Sequence, residues 1–261
     1  MELKKIYIPF DGIFPALTGF LGGREDFQEH FPKINQETLY GQAHKGASVI
    51  DRRVNNLHLI MHRLRINSGV HLRPGDNQGI DFLYLPIDFE SFFIWLRLIM
   101  DLIAYLTPLF YERQGIVTNK SFNDQKAWFI KNGKALDKNY SRYLEKNTEW
   151  FEDMRDVRDD SLHRHFWSYV ELGTSGEIKL KRMRGNKLEE EIQSLAILVG
   201  DYYLKFVEFS RFYEKHFSGV LKSRDKNFKF LGQHVEMNAD FFVSIDYFMQ
   251  QKLKNSANKT V

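Results

Sequence analysis

Cysteine is absent from the 261 residues. That excludes disulfides, thiolate metal sites and a thiol nucleophile. It fits a reducing compartment, so a cytoplasmic location is expected. An excess of one charge is also missing: 37 Lys and Arg stand against 34 Asp and Glu, a net +3. So small an imbalance does not by itself point to a polyanionic partner, and any basic patch must be sought locally. There is no Gly-x-x-x-x-Gly-Lys phosphate loop, no nucleophile elbow and no Glu-x-x-His pair of a di-iron bundle. The start, MELKKIYIPFDG, has its apolar run cut by Pro9, Asp11 and Gly12, so it is not read as a signal peptide. The longest apolar stretch, FFIWLRLIMDLIAYLTPLFY (92–111), has Arg97 and Asp101 inside it. Charges at mid-bilayer are expensive, so a buried core helix is expected there and no membrane partner.

What is present describes a packed helical protein. Hydrophobic residues make up 43% and charged residues 27%, a globular balance. Aromatics reach 15%, with 23 Phe, so the core should be rich in rings. The first forty residues carry Gly12, Gly19, Gly22, Gly23, Pro9, Pro15 and Pro32 and read as loops. Ile50, Val54, Leu57, Met61 and Leu64 recur at helical spacing over 47–66. SGVHLRPGDNQG (68–79) reads as a loop, and Asp88 as the cap of an apolar helix over 89–111 that Pro108 ends. Ser121 caps a short helix to about Lys131. A longer helix is expected over 138–162, with Tyr140, Tyr143, Leu144, Trp150, Phe151, Met154 and Val157 inward.

The period then changes. FWSYVELG and IKLKRMRG alternate around the turn TSGE and read as a β-hairpin over 166–184. Asn186 with Glu189 resembles a capping box opening a long helix to about Phe217, and a last helix is expected over 239–253. The expected fold is mainly α: an antiparallel helical bundle with one β-hairpin between the 138–162 helix and the long helix after it. Residues 1–84 form an N-terminal elaboration, 85–220 the bundle, and 221–261 a C-terminal helix and tail packed on the same domain.

One stretch departs from a bland helical surface. MRDVRDDSLHRHFW (154–167) gathers charges and two histidines at a helix end. Arg155, Asp159 and His163 are four apart and share a face, so Asp159 can accept from His163 and Arg155 can offset the carboxylate. Arg158 continues the apolar stripe of Phe151 and Met154. A guanidinium placed there needs a carboxylate or a bound anion, and Asp101 is one candidate partner.

Arg158-Asp159-Asp160-Ser161-Leu162-His163 resembles the signature of the HEPN superfamily (higher eukaryotes and prokaryotes nucleotide-binding domains): an arginine, usually followed by Asn, His or Asp, and a histidine separated from that arginine by four to six residues. His165 closes the same pattern with six. The pairs Arg24 to His30, Arg53 to His58, Arg65 to His71 and Arg211 to His216 also match the bare spacing. Arg53, Arg65 and Arg211 are followed by Val54, Ile66 and Phe212, and Arg24 sits in a glycine-rich loop. Only Arg158 comes late in a long amphipathic helix, after a helix bearing Arg97-x-x-x-Asp101. The resemblance covers about 85–220.

The resemblance implies a metal-independent RNA endonuclease, working as a homodimer in a defence or toxin–antitoxin system, without a cofactor. Its catalytic residues would be Arg158, Asp159 and His163, with Arg155 and His165 as auxiliaries. The chemistry is compatible: histidine suits proton transfer near neutral pH, guanidinium binds phosphate in a fork, and only RNA carries the attacking 2′-hydroxyl. The same resemblance admits a non-catalytic module that binds nucleotide, RNA or a protein partner. Lys179, Lys181, Arg182 and Arg184, close after the motif and opposite Trp167 and Tyr169, suit single-stranded RNA; they equally suit an edge strand guarded by cations. His58 and His62 lie one turn apart, but no third ligand is spaced to join them, so they read as a polar helix face and no metal site is expected.

Overall fold

The computed structural model describes residues 39–70, 79–111, 121–163, 167–172, 178–184 and 187–224. The described body is mainly α-helical. Helix α1 runs Leu39–Val70 and α2 Gly79–Leu106, followed by a 3₁₀ turn, Thr107–Tyr111. Helix α3 is Phe122–Asn132, followed by a second 3₁₀ turn, Gly133–Ala135. Helices α4, Lys138–Asn147, and α5, Trp150–His163, come next, and α6, Leu195–Arg224, is the last. Between α5 and α6 the backbone has strand geometry at Trp167–Leu172 (β1), Ile178–Arg184 (β2) and Lys187–Ser194 (β3), paired antiparallel in that order. Apart from Ser194, the side chains of these strands lie outside the described residues.

Aromatic packing holds the helices together. The largest fully buried side chains among the described residues are all Phe or Tyr. Burying each Phe stabilises the fold by roughly 1.5–3 kcal/mol before chain entropy is counted. The expected α1 stripe is wholly inward: Ile50, Val54, Leu57, Met61 and Leu64 are buried where α1 packs along α2. Phe93 of α2 meets Tyr202 of α6 edge-on at 5.3 Å, and Phe122 of α3 meets Phe151 of α5 at 4.7 Å and Phe209 of α6 at 5.4 Å. Such edge contacts set a negative ring face against a positive ring edge. Tyr84–Tyr111 is long and apolar enough to cross a membrane by length and composition, and 61% of its most apolar window is buried inside the protein.

Local chemistry accounts for several boundaries. Ser121 caps α3 as expected, its hydroxyl accepting from the Asp124 amide at 3.2 Å. Asp137 caps α4 through the Tyr140 amide at 2.8 Å. The helix expected over 138–162 is broken in two. Its inward stripe has a gap from Leu144 to Trp150, and an unbroken helix would bring Asn147 and Thr148 into that gap. Instead Thr148 leaves helical geometry (φ −123°, ψ 19°), its hydroxyl turns back to the Leu144 carbonyl, and its own carbonyl accepts Lys126 Nζ at 3.2 Å.

Two expected caps are displaced. Asp88 does not start a helix: α2 begins at Gly79, and the buried Asp88 carboxylate pairs with Arg63 of α1. The last long helix starts at Leu195, not after Asn186. Leu188 and Ile192, four apart, fit one face of a helix and equally one face of a strand, so their spacing did not discriminate. Ser194 receives the Ile197 amide at 3.5 Å. Residue 85 lies inside α2, and α1 packs along that helix. The helix expected over 239–253 lies outside the described residues.

Candidate functional site

Phe151 and Met154 are fully buried and seat α5 against the core. On α2, the Arg97 guanidinium carbon sits 4.7 Å from the centre of the Phe151 ring. Arg97 Nε donates to Asp101 at 3.0 Å, and the other Asp101 oxygen accepts the Phe122 amide at 2.7 Å. Asp101 therefore ties two successive turns of α2 to the start of α3.

Arg158 lies four residues on from Met154, at the edge of the buried stripe. Its side chain is 25% exposed, and its Nε donates to Asp159 Oδ1 at 2.9 Å, with Nη2 contacting the same oxygen. The expected pairing with Asp101 is not made, because Arg97 and the Phe122 amide occupy that carboxylate. Nor do Arg155 and Asp159 meet: Arg155 reaches Asp156 at 3.4 Å. Each arginine has taken the acid next to it in sequence. Neighbours at i,i+1 point in different directions on a helix, and half-exposed pairs contribute little, on the order of 0–1 kcal/mol. An incoming anion could displace either one.

His163 is the last residue of α5. Its side chain, and all of His165, lie outside the described residues, as do the side chains of Lys179, Lys181, Arg182 and Arg184 on β2. The structure therefore brings Arg158 and Asp159 together and describes no contact for the other residues named from the motif except Arg155.

Two histidines from the competing Arg-to-His spacings are engaged elsewhere. His58 is not on a polar face; it is buried in the core, with Nε2 2.7 Å from the Tyr203 hydroxyl. Burial pushes its pKa down to about 4, so the ring is neutral. His216 Nε2 lies 2.6 Å from Asp137 Oδ2, which also accepts the Tyr111 hydroxyl at 2.6 Å. Burial works to raise the Asp137 pKa, but hydrogen bonds from His216, Tyr111 and the Tyr140 amide outweigh it and hold the carboxyl below its ordinary value.

A second locus was not anticipated from sequence. Between α4 and the C-terminal half of α6 lies an open cleft of about 530 Å³, lined in part by Arg142, Tyr143, Lys146, Phe212, Lys215 and His216. The Arg142–Lys146 spacing marks a basic helical face, but only the approach of α6 makes that face one wall of a cleft. Comparisons of the chain with protein-family models, with curated proteins and with solved structures find no match.

Proposed function

We propose that the chain is a HEPN-like RNA endonuclease that acts without metal or other cofactor as a homodimer, in the cytoplasm, within a defence or toxin–antitoxin system. In this reading the fold is an antiparallel helical bundle with a β-hairpin between α5 and α6. Arg158 holds the scissile phosphate, and His163 of one protomer takes the 2′-hydroxyl proton. The 2′-oxygen attacks phosphorus, and the second protomer's equivalent histidine protonates the leaving 5′-oxygen, giving a 2′,3′-cyclic phosphate and a 5′-hydroxyl. Asp159 orients the histidine, Arg155 and His165 assist, and Lys179, Lys181, Arg182 and Arg184 track the RNA backbone.

The observation that supports this reading is the state of Arg158. Its guanidinium reaches solvent and is paired to the adjacent Asp159, while the interior carboxylate that could have locked it away, Asp101, is taken by Arg97. A weakly held, accessible guanidinium at the end of a well-packed helix is suited to phosphate.

The test is cleavage of single-stranded RNA by purified protein in EDTA. His163→Ala and Arg158→Ala should each lose cleavage while keeping the thermal midpoint, and a DNA oligomer of the same sequence should stay intact. Equal cleavage by wild type and His163→Ala would reject the assignment.

One observation favours a second reading, a non-catalytic binding module on the same fold. Arg158 already directs two of its nitrogens at one Asp159 oxygen, which leaves less of its fork for a transition state. RNA binding without cutting, weakened by Lys181→Glu and Arg184→Glu, selects that reading.

A further inference from the structure

We infer that the cleft between α4 and α6 is a binding site for a nucleoside phosphate, independent of the α5 motif. The planar part of such a ligand has rings to meet. Tyr143 and Phe212 stack at 3.6 Å with their planes 2° apart, and the His216 ring lies 15° from Phe212 at 5.6 Å. Tyr143 and Phe212 cover each other's facing sides; the three rings share nearly one orientation and are only partly buried, so the ring surface they leave exposed offers a heteroaromatic base a contact. The His216 ring is fixed from behind by Asp137, which the Tyr111 hydroxyl and the Tyr140 amide hold in turn. The floor of the cleft is thus pre-organised.

The charged part of the ligand is matched by the rim. Arg142, Lys146 and Lys215 are exposed, and none has an ion pair or hydrogen bond among the described residues. No carboxylate lines this cleft among the described residues. Glu149, Asp153 and Glu208 line an adjoining hollow, which shares only Tyr143, Lys146 and Asn147 with it. Arg142 and Lys146 are like charges at i,i+4, a spacing that costs stability. Lys146 in the last turn of α4 gains from the helix dipole, but Arg142, a turn earlier, does not. Unpaired cations around an aromatic floor are satisfied by phosphate. The cavity volume falls in the ordinary range for small-ligand sites, roughly 300–1,000 Å³.

The experiment is calorimetric titration of the full chain with ADP, adenosine, pyrophosphate and a ten-nucleotide single-stranded RNA. ADP should bind more tightly than adenosine or pyrophosphate. Arg142→Ala and Lys215→Ala, both at exposed positions, should each weaken ADP about tenfold, the loss of one charged contact. Phe212→Leu should bring ADP down to the level of pyrophosphate. His163→Ala should leave ADP binding unchanged, so this site and the nuclease proposal can fail separately. Absence of ADP binding would overturn the inference. So would ADP binding indifferent to Arg142→Ala and Lys215→Ala, or binding of the RNA alone, which would mean a surface for polyanion backbones.

Discussion

His58 on α1 and Tyr203 on α6 meet inside the core, imidazole Nε2 to hydroxyl oxygen, at 2.7 Å across 145 positions of sequence. Their rings also stand edge to face at 5.6 Å. A polar pair buried among apolar side chains joins the first described helix to the last.

That pair makes stability depend on pH. Burial lowers the His58 pKa from 6.5 to about 4, so below pH 6.5 the unfolded chain takes up a proton that the folded chain refuses. Stability from this group is fully present above pH 6.5 and is lost progressively as pH falls toward 4, at most about 1.4 kcal/mol per pH unit. Urea midpoints between pH 7 and 5 should fall for wild type and change less for His58→Gln, which keeps a partner for Tyr203. Parallel slopes for the two proteins would refute this.

Asp137 acts at lower pH and in the same direction, though here it is the charged form that the fold favours. Burial raises its pKa, but the bonds from His216, Tyr111 and Tyr140 prevail and depress it below 3.8. Its contribution is present above that ordinary value and is lost as pH falls through the lower folded value. Asp137→Asn keeps an oxygen for the α4 cap but no charge. Its acid-unfolding curve should be flatter than that of wild type below pH 4, read by circular dichroism.

Asp101 bridges Arg97 and the backbone of α3. Asp101→Ala removes both bonds and leaves an arginine that is largely buried, already with Nη1 unpartnered among the described residues. A loss of about 2–4 kcal/mol in chemical denaturation is expected. Arg97→Met in the Asp101→Ala background should recover part of it, because the stranded charge is gone.

Two glycines should respond in opposite directions. A Cβ at Gly133 would run into the Phe129 ring and come within 2.9 Å of Ser141 Oγ, both held in the core, so Gly133→Ala should cost about 1–3 kcal/mol. A Cβ at Gly219, on α6, meets nothing within 4 Å. Gly219→Ala should stabilise by about 0.5–1 kcal/mol through helix propensity. Thermal midpoints of the two variants against wild type decide both.

Much of the helical body is legible in the residues. The α1 stripe of Ile50, Val54, Leu57, Met61 and Leu64 and the Ser121 cap of α3 stand where local rules put them. The rules fail where a pattern fits two structures. Leu188 and Ile192 suit a helix face and a strand face alike, and the stripe through Tyr140 and Trp150 runs on across the end of a helix at Thr148. Of the candidate site, the spacing of Arg158, Asp159 and His163 is a sequence property. The partner each arginine takes is not, because several acids lie within reach of a long side chain.

Composition and periodicity alone determined that this is a mainly helical protein with an aromatic core and no thiol chemistry, since helix faces and ring content are properties of neighbouring residues. Tertiary structure decided what distant residues do to one another. Asp101 took the backbone of α3, His58 went to Tyr203, and α4 met α6 to make a cleft with three cations at its rim. Those outcomes depend on how helices far apart in the chain approach each other, and the approach is set by packing of the whole core rather than by any local run of residues.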